Sequence, residues 1–147
     1  GDADVLVTAQ PGVTIGILTA DCTPVVLAGP GRVAVAHAGW RGLVAGVIDT
    51  AVHAVGRVDA AWVGPSIHAC CYEVGPEVIA AFESQGLPTA GPDHVDPGRA
   101  AAFALHRAGV ERVASSTDCT SCDRRYFSYR RDGVTGRQGA FAALLPT

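Results

Sequence analysis

The chain has 147 residues, which is enough for one domain with a substantial hydrophobic core. Hydrophobic residues make up 48% and charged residues 17%, a balance that excludes an intrinsically disordered chain. The net charge of −3 leaves no basic excess, so a nucleic-acid partner is not expected, and no apolar run reaches the roughly 18 residues of a membrane span.

Short apolar runs predict strands in the first third of the chain, at residues 13–18, 24–28 and 32–37. The sequence Gly29-Pro30-Gly31 separates the last two and predicts a tight turn, and therefore a β-hairpin. Apolar residues at 44, 47, 48, 51, 52 and 55 have helical spacing. They predict a helix over residues 43–55, after a Gly-Trp-Arg-Gly turn.

The rest of the chain mixes helices with short strands. We predict strands at 60–63 and 110–115, a helix at 76–85, a helix from the Asp96 cap to residue 108, and a last apolar segment at 141–145. This mixture predicts a single layered α/β domain over residues 1–147, in which a mixed β-sheet with β-hairpins is flanked by helices.

The five cysteines are odd in number, and no signal-peptide pattern is visible in the sequence. They predict reduced thiols in a cytoplasmic protein rather than a disulfide framework. Cys70 and Cys71 are adjacent, so we expect them to pack in a loop rather than to ligate one ion together. The C-x-x-C at Cys119 and Cys122 has no second C-x-x-C beside it, and Cys122 is interpreted as incidental.

Cys22 and His37 are the strongest candidates for chemistry. Folding the hairpin about Pro30 places them opposite each other to within about one residue, where β-carbons lie roughly 5 Å apart. A thiolate and an imidazole suit zinc or copper, but a catalytic zinc usually takes three protein ligands. The alternative is a small buried cysteine and a hydrogen-bonded core histidine. The nearby Asp21 and the Trp40-Arg41 pair favour a functional site.

Residues 19–27 (TADCTPVVL) and 37–42 (HAGWRG) resemble the signature of the YfiH family of laccase-like proteins, which act as purine nucleoside phosphorylases. Further segments match in order: Gly1-Asp2-Ala3 with Thr8, GPSI at 64–67, YEVG at 72–75, Cys119-Thr120, FSYRR at 127–131 and Gly136-Arg137. The resemblance covers nearly the whole chain, so it extends to the fold and to the site.

The resemblance implies a metal held by one cysteine and two histidines. Cys22 matches the family cysteine and His37 the second histidine, while the first histidine is expected upstream of residue 1. We therefore expect the chain to be truncated at its N-terminus. The alternative is that another histidine substitutes, the choices being His53, His68, His94 and His106. Of these only His68 lies in a suitable loop.

The implied reaction is metal-dependent phosphorolysis of purine nucleosides. Adenosine, inosine or guanosine would react with phosphate to give the base and ribose 1-phosphate, and methylthioadenosine would give adenine and methylthioribose 1-phosphate. Adenosine deamination is also associated with the family. Asp21 would accept a proton or orient His37. Trp40 and Tyr72 would contact the nucleoside, and Arg41 would bind phosphate.

A basic cluster near the C-terminus offers further phosphate ligands, Arg130 and Arg131 together with Arg137, although a solvated hairpin would have the same sequence. Two other functions stay open. A copper-dependent polyphenol oxidase is disfavoured because the five histidines are scattered and include no His-x-His pair. A non-catalytic, zinc-stabilised binding module is the third alternative. The sequence decides neither zinc against copper nor the oligomeric state.

Overall fold

A computed structural model describes residues 3–146. Its seven strands are β1 (Val5–Thr8), β2 (Thr14–Thr19), β3 (Thr23–Gly29), β4 (Arg32–Ala38), β5 (Ala60–Val63), β6 (Val113–Ser115) and β7 (Gln138–Ala143). Its five helices are α1 (Trp40–Val44), α2 (Val47–Val55), α3 (Pro76–Ser84), α4 (Pro97–Arg107) and α5 (Tyr129–Asp132). The Gly1 and Asp2 part of the resemblance lies outside the described residues.

The main sheet has five strands in the order β1-β4-β3-β5-β6. Its strands pair antiparallel except β5 and β6, which are parallel, so the sheet is mixed as predicted. The β3–β4 hairpin pairs Gly29 with Arg32 across Pro30 and Gly31. Gly31 has a φ of 69°, a conformation that glycine adopts without a Cβ penalty. The predicted hairpin is therefore confirmed.

Alternation along the central strands separates two packing faces. Val25 and Leu27 of β3 point to the face that α2 and α4 cover, where the larger core lies. Val26 and Val35 point to the opposite face, where they pack against the two-stranded ribbon formed by β2 and β7. The fold is thus a layer of helices, a five-stranded sheet and a two-stranded ribbon. This arrangement confirms the predicted mixed α/β class.

The structure corrects the predicted elements at four places. Strand β1 has no counterpart in the prediction, and the predicted strand at 110–115 is reduced to β6. The helix predicted over 43–55 is divided into α1 and α2, because Gly46 adopts a φ of 84° that no right-handed helix accommodates. Residues 129–132 form the short helix α5, where a solvated hairpin was the alternative. None of the described helices is long and apolar enough to cross a membrane.

Candidate active site

A cavity of about 510 Å³ opens where the loop from β2 to β3 meets the end of β4. Its lining includes a thiol, an imidazole, aromatic rings and guanidinium groups, from Cys22, His37, Trp40, Tyr72, Tyr129, Arg130 and Arg137. The other lining residues are Leu18, Thr19, Ala20, Asp21, Gly39, Ile67 and Pro97. The segments that supply them are far apart in the sequence, so the fold itself assembles this site.

Cys22 and His37 both line the cavity, but their register differs from the predicted one. His37 pairs with Pro24, and continuing the β3–β4 register places Cys22 opposite Gly39, two residues beyond His37. Because side chains alternate with a period of two, an offset of two residues keeps both on the same face. A Cβ added at Gly39 would lie 3.1 Å from Cys22 Sγ, so the glycine leaves room for the thiol.

Asp4 orients the imidazole of His37. Asp4 Oδ1 lies 3.2 Å from His37 Nδ1, and the His37 backbone N–H donates to the Asp4 carbonyl at 2.7 Å. The hydrogen bond with the Cys22 thiol, assisted by Asp4, raises the pKa of His37 to about 9 in spite of partial burial. A carboxylate on one ring nitrogen is the usual support of a metal-binding histidine, and it leaves Nε2 for the metal.

The chemistry of this donor pair fits part of a zinc or copper site. A thiolate and an imidazole are ligands that both metals accept, and the Asp4 contact already holds the ring. Among residues 3–146, no third cysteine, histidine or carboxylate lies close enough to complete a three-ligand group with Cys22 and His37.

The four other histidines do not line the cavity. His53 is exposed on α2, and His106 Nδ1 donates to the Val110 carbonyl. His94 pairs with Asp93, and His68 with Asp96 at 2.9 Å. The Asp96 hydrogen bond raises the pKa of His68. His68 therefore supports the loop in which it lies and is not positioned to act as a third ligand beside Cys22 and His37.

Asp21 is buried and holds two distant segments together. Its Oδ1 accepts from Thr120 Oγ1 at 2.6 Å, and its Oδ2 accepts from the backbone N–H of Arg130 at 2.7 Å. Its own φ of 96° is in the region that disfavours residues with a Cβ. The prediction that Asp21 orients His37 is corrected, since Asp4 makes that contact.

Trp40 and Arg41 open helix α1, and they lie against each other. The guanidinium carbon of Arg41 lies 4.6 Å from the centre of the Trp40 ring, within the range of a cation–π contact. Trp40 lines the cavity, while Arg41 is exposed and does not line it. Burial raises the pKa of Tyr72, and the nearby charge of Arg41 partly offsets that rise.

Tyr72 and Arg130 also line the cavity. The guanidinium carbon of Arg130 lies 4.9 Å from the centre of the Tyr72 ring, and its Nη1 donates to the Glu73 carbonyl at 3.0 Å. These two contacts hold a cation at the cavity without a carboxylate partner, which leaves its charge available to an anion.

Arg131 points elsewhere, and the prediction that it binds substrate is not supported by its contacts. Its Nη1 donates to the Thr120 carbonyl at 3.0 Å, its Nη2 to the Tyr126 carbonyl at 2.9 Å, and its Nε to Asp132 Oδ1 at 2.9 Å. All three nitrogens are therefore occupied in holding the loop before α5. Arg137, in contrast, lines the cavity.

The sequence analysis missed a second cluster, in which four cysteines converge. The Sγ atoms of Cys70, Cys71, Cys119 and Cys122 lie within 4.8 Å of one another. Cys70 and Cys71 were expected to point apart because they are adjacent, but both thiols approach Cys122, since residues 69–71 form a turn and not a strand. Burial would raise the pKa of Cys119, but hydrogen bonds from the backbone of His68, Cys122 and Ser121 lower it to about 7. Two features of the sequence could have indicated this cluster: the adjacent Cys70 and Cys71, and the C-x-x-C of Cys119 and Cys122.

The family follows from a comparison with known sequences. Residues 1–145 match the family model described as multi-copper polyphenol oxidoreductase laccase. The chain is also 36% identical over 156 residues to the purine nucleoside phosphorylase YfiH of Escherichia coli, covering 97% of this chain and 64% of that protein.

The chain belongs to the YfiH family. Another relative, the purine nucleoside phosphorylase SCO2081 of Streptomyces coelicolor, is 40% identical over 154 residues, with 96% of this chain and 64% of the relative covered. The adenosine deaminase RL5 of an unknown prokaryotic organism is 39% identical over 152 residues, with 89% of this chain and 58% of the relative covered. This YfiH-family chain thus spans less than two thirds of the length of these relatives.

A solved structure shares the YfiH-family fold. The Neisseria meningitidis protein NMB0706 superposes with a TM-score of 0.87 at 36% identity, covering 99% of this chain and 66% of that one. The predicted family and fold class are both confirmed.

Proposed function

We propose that residues 1–147 act as one catalytic unit of a metal-dependent purine nucleoside phosphorylase. The reaction converts a purine nucleoside and phosphate into the free base and ribose 1-phosphate. The observation that carries the proposal is the composition of one cavity, which holds a thiol–imidazole pair, three aromatic rings and two guanidinium groups. The phosphorylase names of the E. coli and Streptomyces relatives support it.

The size and lining of the cavity suit a nucleoside. A volume of about 510 Å³ lies within the usual range of small-molecule pockets. Trp40 and Tyr72 offer aromatic faces on which a purine can stack, and each ring is already backed by an arginine. The ring of the base is therefore expected between the end of β4 and the loop at residue 72.

Arg130 and Arg137 are the phosphate ligands of this proposal. Both line the cavity, and a guanidinium presents the fork that matches phosphate oxygens. Arg41 stands behind Trp40 and adds positive potential from outside the cavity. Asp21 contributes by position, since it fixes the backbone at Arg130, and not by exchanging a proton with substrate.

Cys22 and His37 are the ligands that this chain offers to the zinc or copper ion. When bound, the ion supplies Lewis-acid polarisation of a reacting oxygen. His37 is kept in orientation by Asp4, and the Cys22 thiol is seated against the Gly39 backbone. The chain's own contribution is thus to hold both donors and the cationic groups at one cavity.

An assay with adenosine tests the proposal. Metal-loaded protein is incubated with adenosine with and without inorganic phosphate, and the products are separated. Adenine that forms only with phosphate supports phosphorolysis. Inosine that forms without phosphate supports the second candidate, adenosine deaminase, which the name of the RL5 relative favours. Oxidation of a phenolic dye with copper, with neither nucleoside product, would overturn the proposal in favour of the laccase-like reaction.

Arg130 gives a prediction about phosphate. Replacing it with alanine is expected to raise the KM for phosphate by about 10-fold or more, because a charge-assisted hydrogen bond contributes roughly 1.5–3 kcal/mol. The measurement is initial rate against phosphate concentration at saturating adenosine. Arg112→Ala removes another exposed arginine, outside the cavity, and is expected to leave the KM unchanged. An equal KM in both variants would remove Arg130 from the phosphate site.

A further inference from the structure

Four cysteines converge from two loops that are about 50 residues apart in the sequence. Cys70 and Cys71 lie in the turn after β5, and Cys119 and Cys122 lie in the loop after β6. The Sγ of Cys122 lies 3.5 Å from that of Cys70 and 3.3 Å from that of Cys71, and all four sulfurs lie within 4.8 Å of one another. No other group of three or more metal-ligating side chains is this compact within residues 3–146.

These separations fit a single tetrahedral metal centre. With a Zn–S bond of about 2.3 Å, the edges of a tetrahedron of four sulfurs are about 3.8 Å long. The Sγ separations from Cys122 to Cys70 and Cys71, 3.5 and 3.3 Å, lie close to this value, and no pair of the four sulfurs is more than 4.8 Å apart. Four thiolates around one ion are the ligand set of structural zinc sites, which are closed and leave no position for substrate.

The backbone holds the two loops in place around the sulfurs. Ser66 and Cys119 form a parallel β-bridge, and the Thr120 N–H donates to the Ser66 carbonyl at 3.0 Å. The His68 N–H donates to Cys119 Sγ at 3.4 Å, a contact that stabilises a thiolate. Backbone hydrogen bonds therefore hold the two loops together independently of any contact between the four sulfurs.

We propose that Cys70, Cys71, Cys119 and Cys122 together bind one Zn²⁺ ion in a closed structural site, separate from Cys22 and His37. None of the four cysteines lines the active-site cavity. The ion connects the loop that carries Tyr72 to the loop that carries Thr120, the partner of Asp21. It stabilises the wall of the cavity without taking part in the reaction.

The test measures the metal content of a variant that lacks Cys22 and His37, the other candidate ligands. The double variant Cys22→Ser/His37→Ala is purified from zinc-containing medium, and its metal is measured by mass spectrometry. One equivalent of zinc per chain is expected, and adding Cys122→Ser to this background is expected to remove it. Two results would overturn the proposal: zinc absent from the double variant, or zinc retained after Cys122→Ser.

A second measurement covers the case in which Cys122→Ser does not fold. The double variant is stripped with a chelator and titrated with Co²⁺. Thiolate-to-cobalt charge transfer with the visible bands of tetrahedral Co²⁺, saturating at one equivalent, is expected. Octahedral Co²⁺ bands without charge transfer would contradict the site. So would a Cys71–Cys122 or Cys70–Cys122 disulfide found as the resting state by mass spectrometry under non-reducing conditions.

Discussion

Replacing His37 with alanine is expected to lower the rate of phosphate-dependent adenine formation by at least about 100-fold. The physical reason is the loss of the imidazole beside Cys22, since even the outer partners of metal ligands contribute roughly 10–100-fold. Asp4→Ala, which removes only the carboxylate on Nδ1, is expected to cost about 10-fold by the same argument. Steady-state rates and metal content measured on the same samples would show both effects.

Two controls make this result specific to the site. His53→Ala removes a histidine that is exposed on α2, away from the cavity, and is expected to keep the parent rate and metal content. Cys22→Ser keeps the shape of its side chain and is expected to reproduce the loss seen for His37→Ala. The assignment of the pair would be refuted by a His37→Ala protein that is folded, as judged by its melting temperature, and retains more than a tenth of the parent rate.

Replacing Asp21 with alanine is expected to reduce the free energy of unfolding by about 2–4 kcal/mol. The carboxylate has two partners, the buried Thr120 Oγ1 and the partly buried Arg130 N–H, and each partner left unsatisfied costs roughly 1–3 kcal/mol. Alanine also loses the local hydrogen bonding that lets aspartate adopt positive φ more readily. Urea denaturation monitored by circular dichroism gives the difference.

Asp21→Asn is the matched comparison. Its amide keeps the size of the carboxylate, and its oxygen can accept from Arg130 while its NH₂ donates to Thr120 Oγ1. We expect Asp21→Asn to lose less than half of the stability, and less than half of the activity, that Asp21→Ala loses. If Asp21 instead exchanged a proton with substrate, Asp21→Asn would be stable and inactive, which would overturn the positioning role.

The hairpin shows what local sequence can predict. Gly29, Pro30 and Gly31 are turn residues between two apolar runs, and they place β3 against β4 with Cys22 and His37 on one face. The structure centres the turn between Pro30 and Gly31 rather than on Pro30, which shifts the register by one residue and places Cys22 two residues from the position opposite His37. An offset of two residues leaves both side chains on the same face.

Asp4 shows where such reasoning stops. It reaches His37 because β1 pairs with β4, with Val5 opposite Ala36. Strand β1 has only four residues, and its partner lies about 30 residues further along the chain. No local pattern specifies that pairing, since it depends on how the edge of the assembled sheet is completed.

By itself the sequence determined the family, the hairpin and the positions of most helices, and it placed Cys22 and His37 near each other, because each of these rests on short-range spacing or on a continuous motif. Only the tertiary structure decided which groups share a site. It joined Asp21 to Thr120 and Arg130 across about 100 residues, directed Arg131 into its own loop, and brought Cys70 and Cys71 to Cys119 and Cys122. These contacts arise from the packing of distant loops, and their geometry is set by the whole fold rather than by the residues on either side.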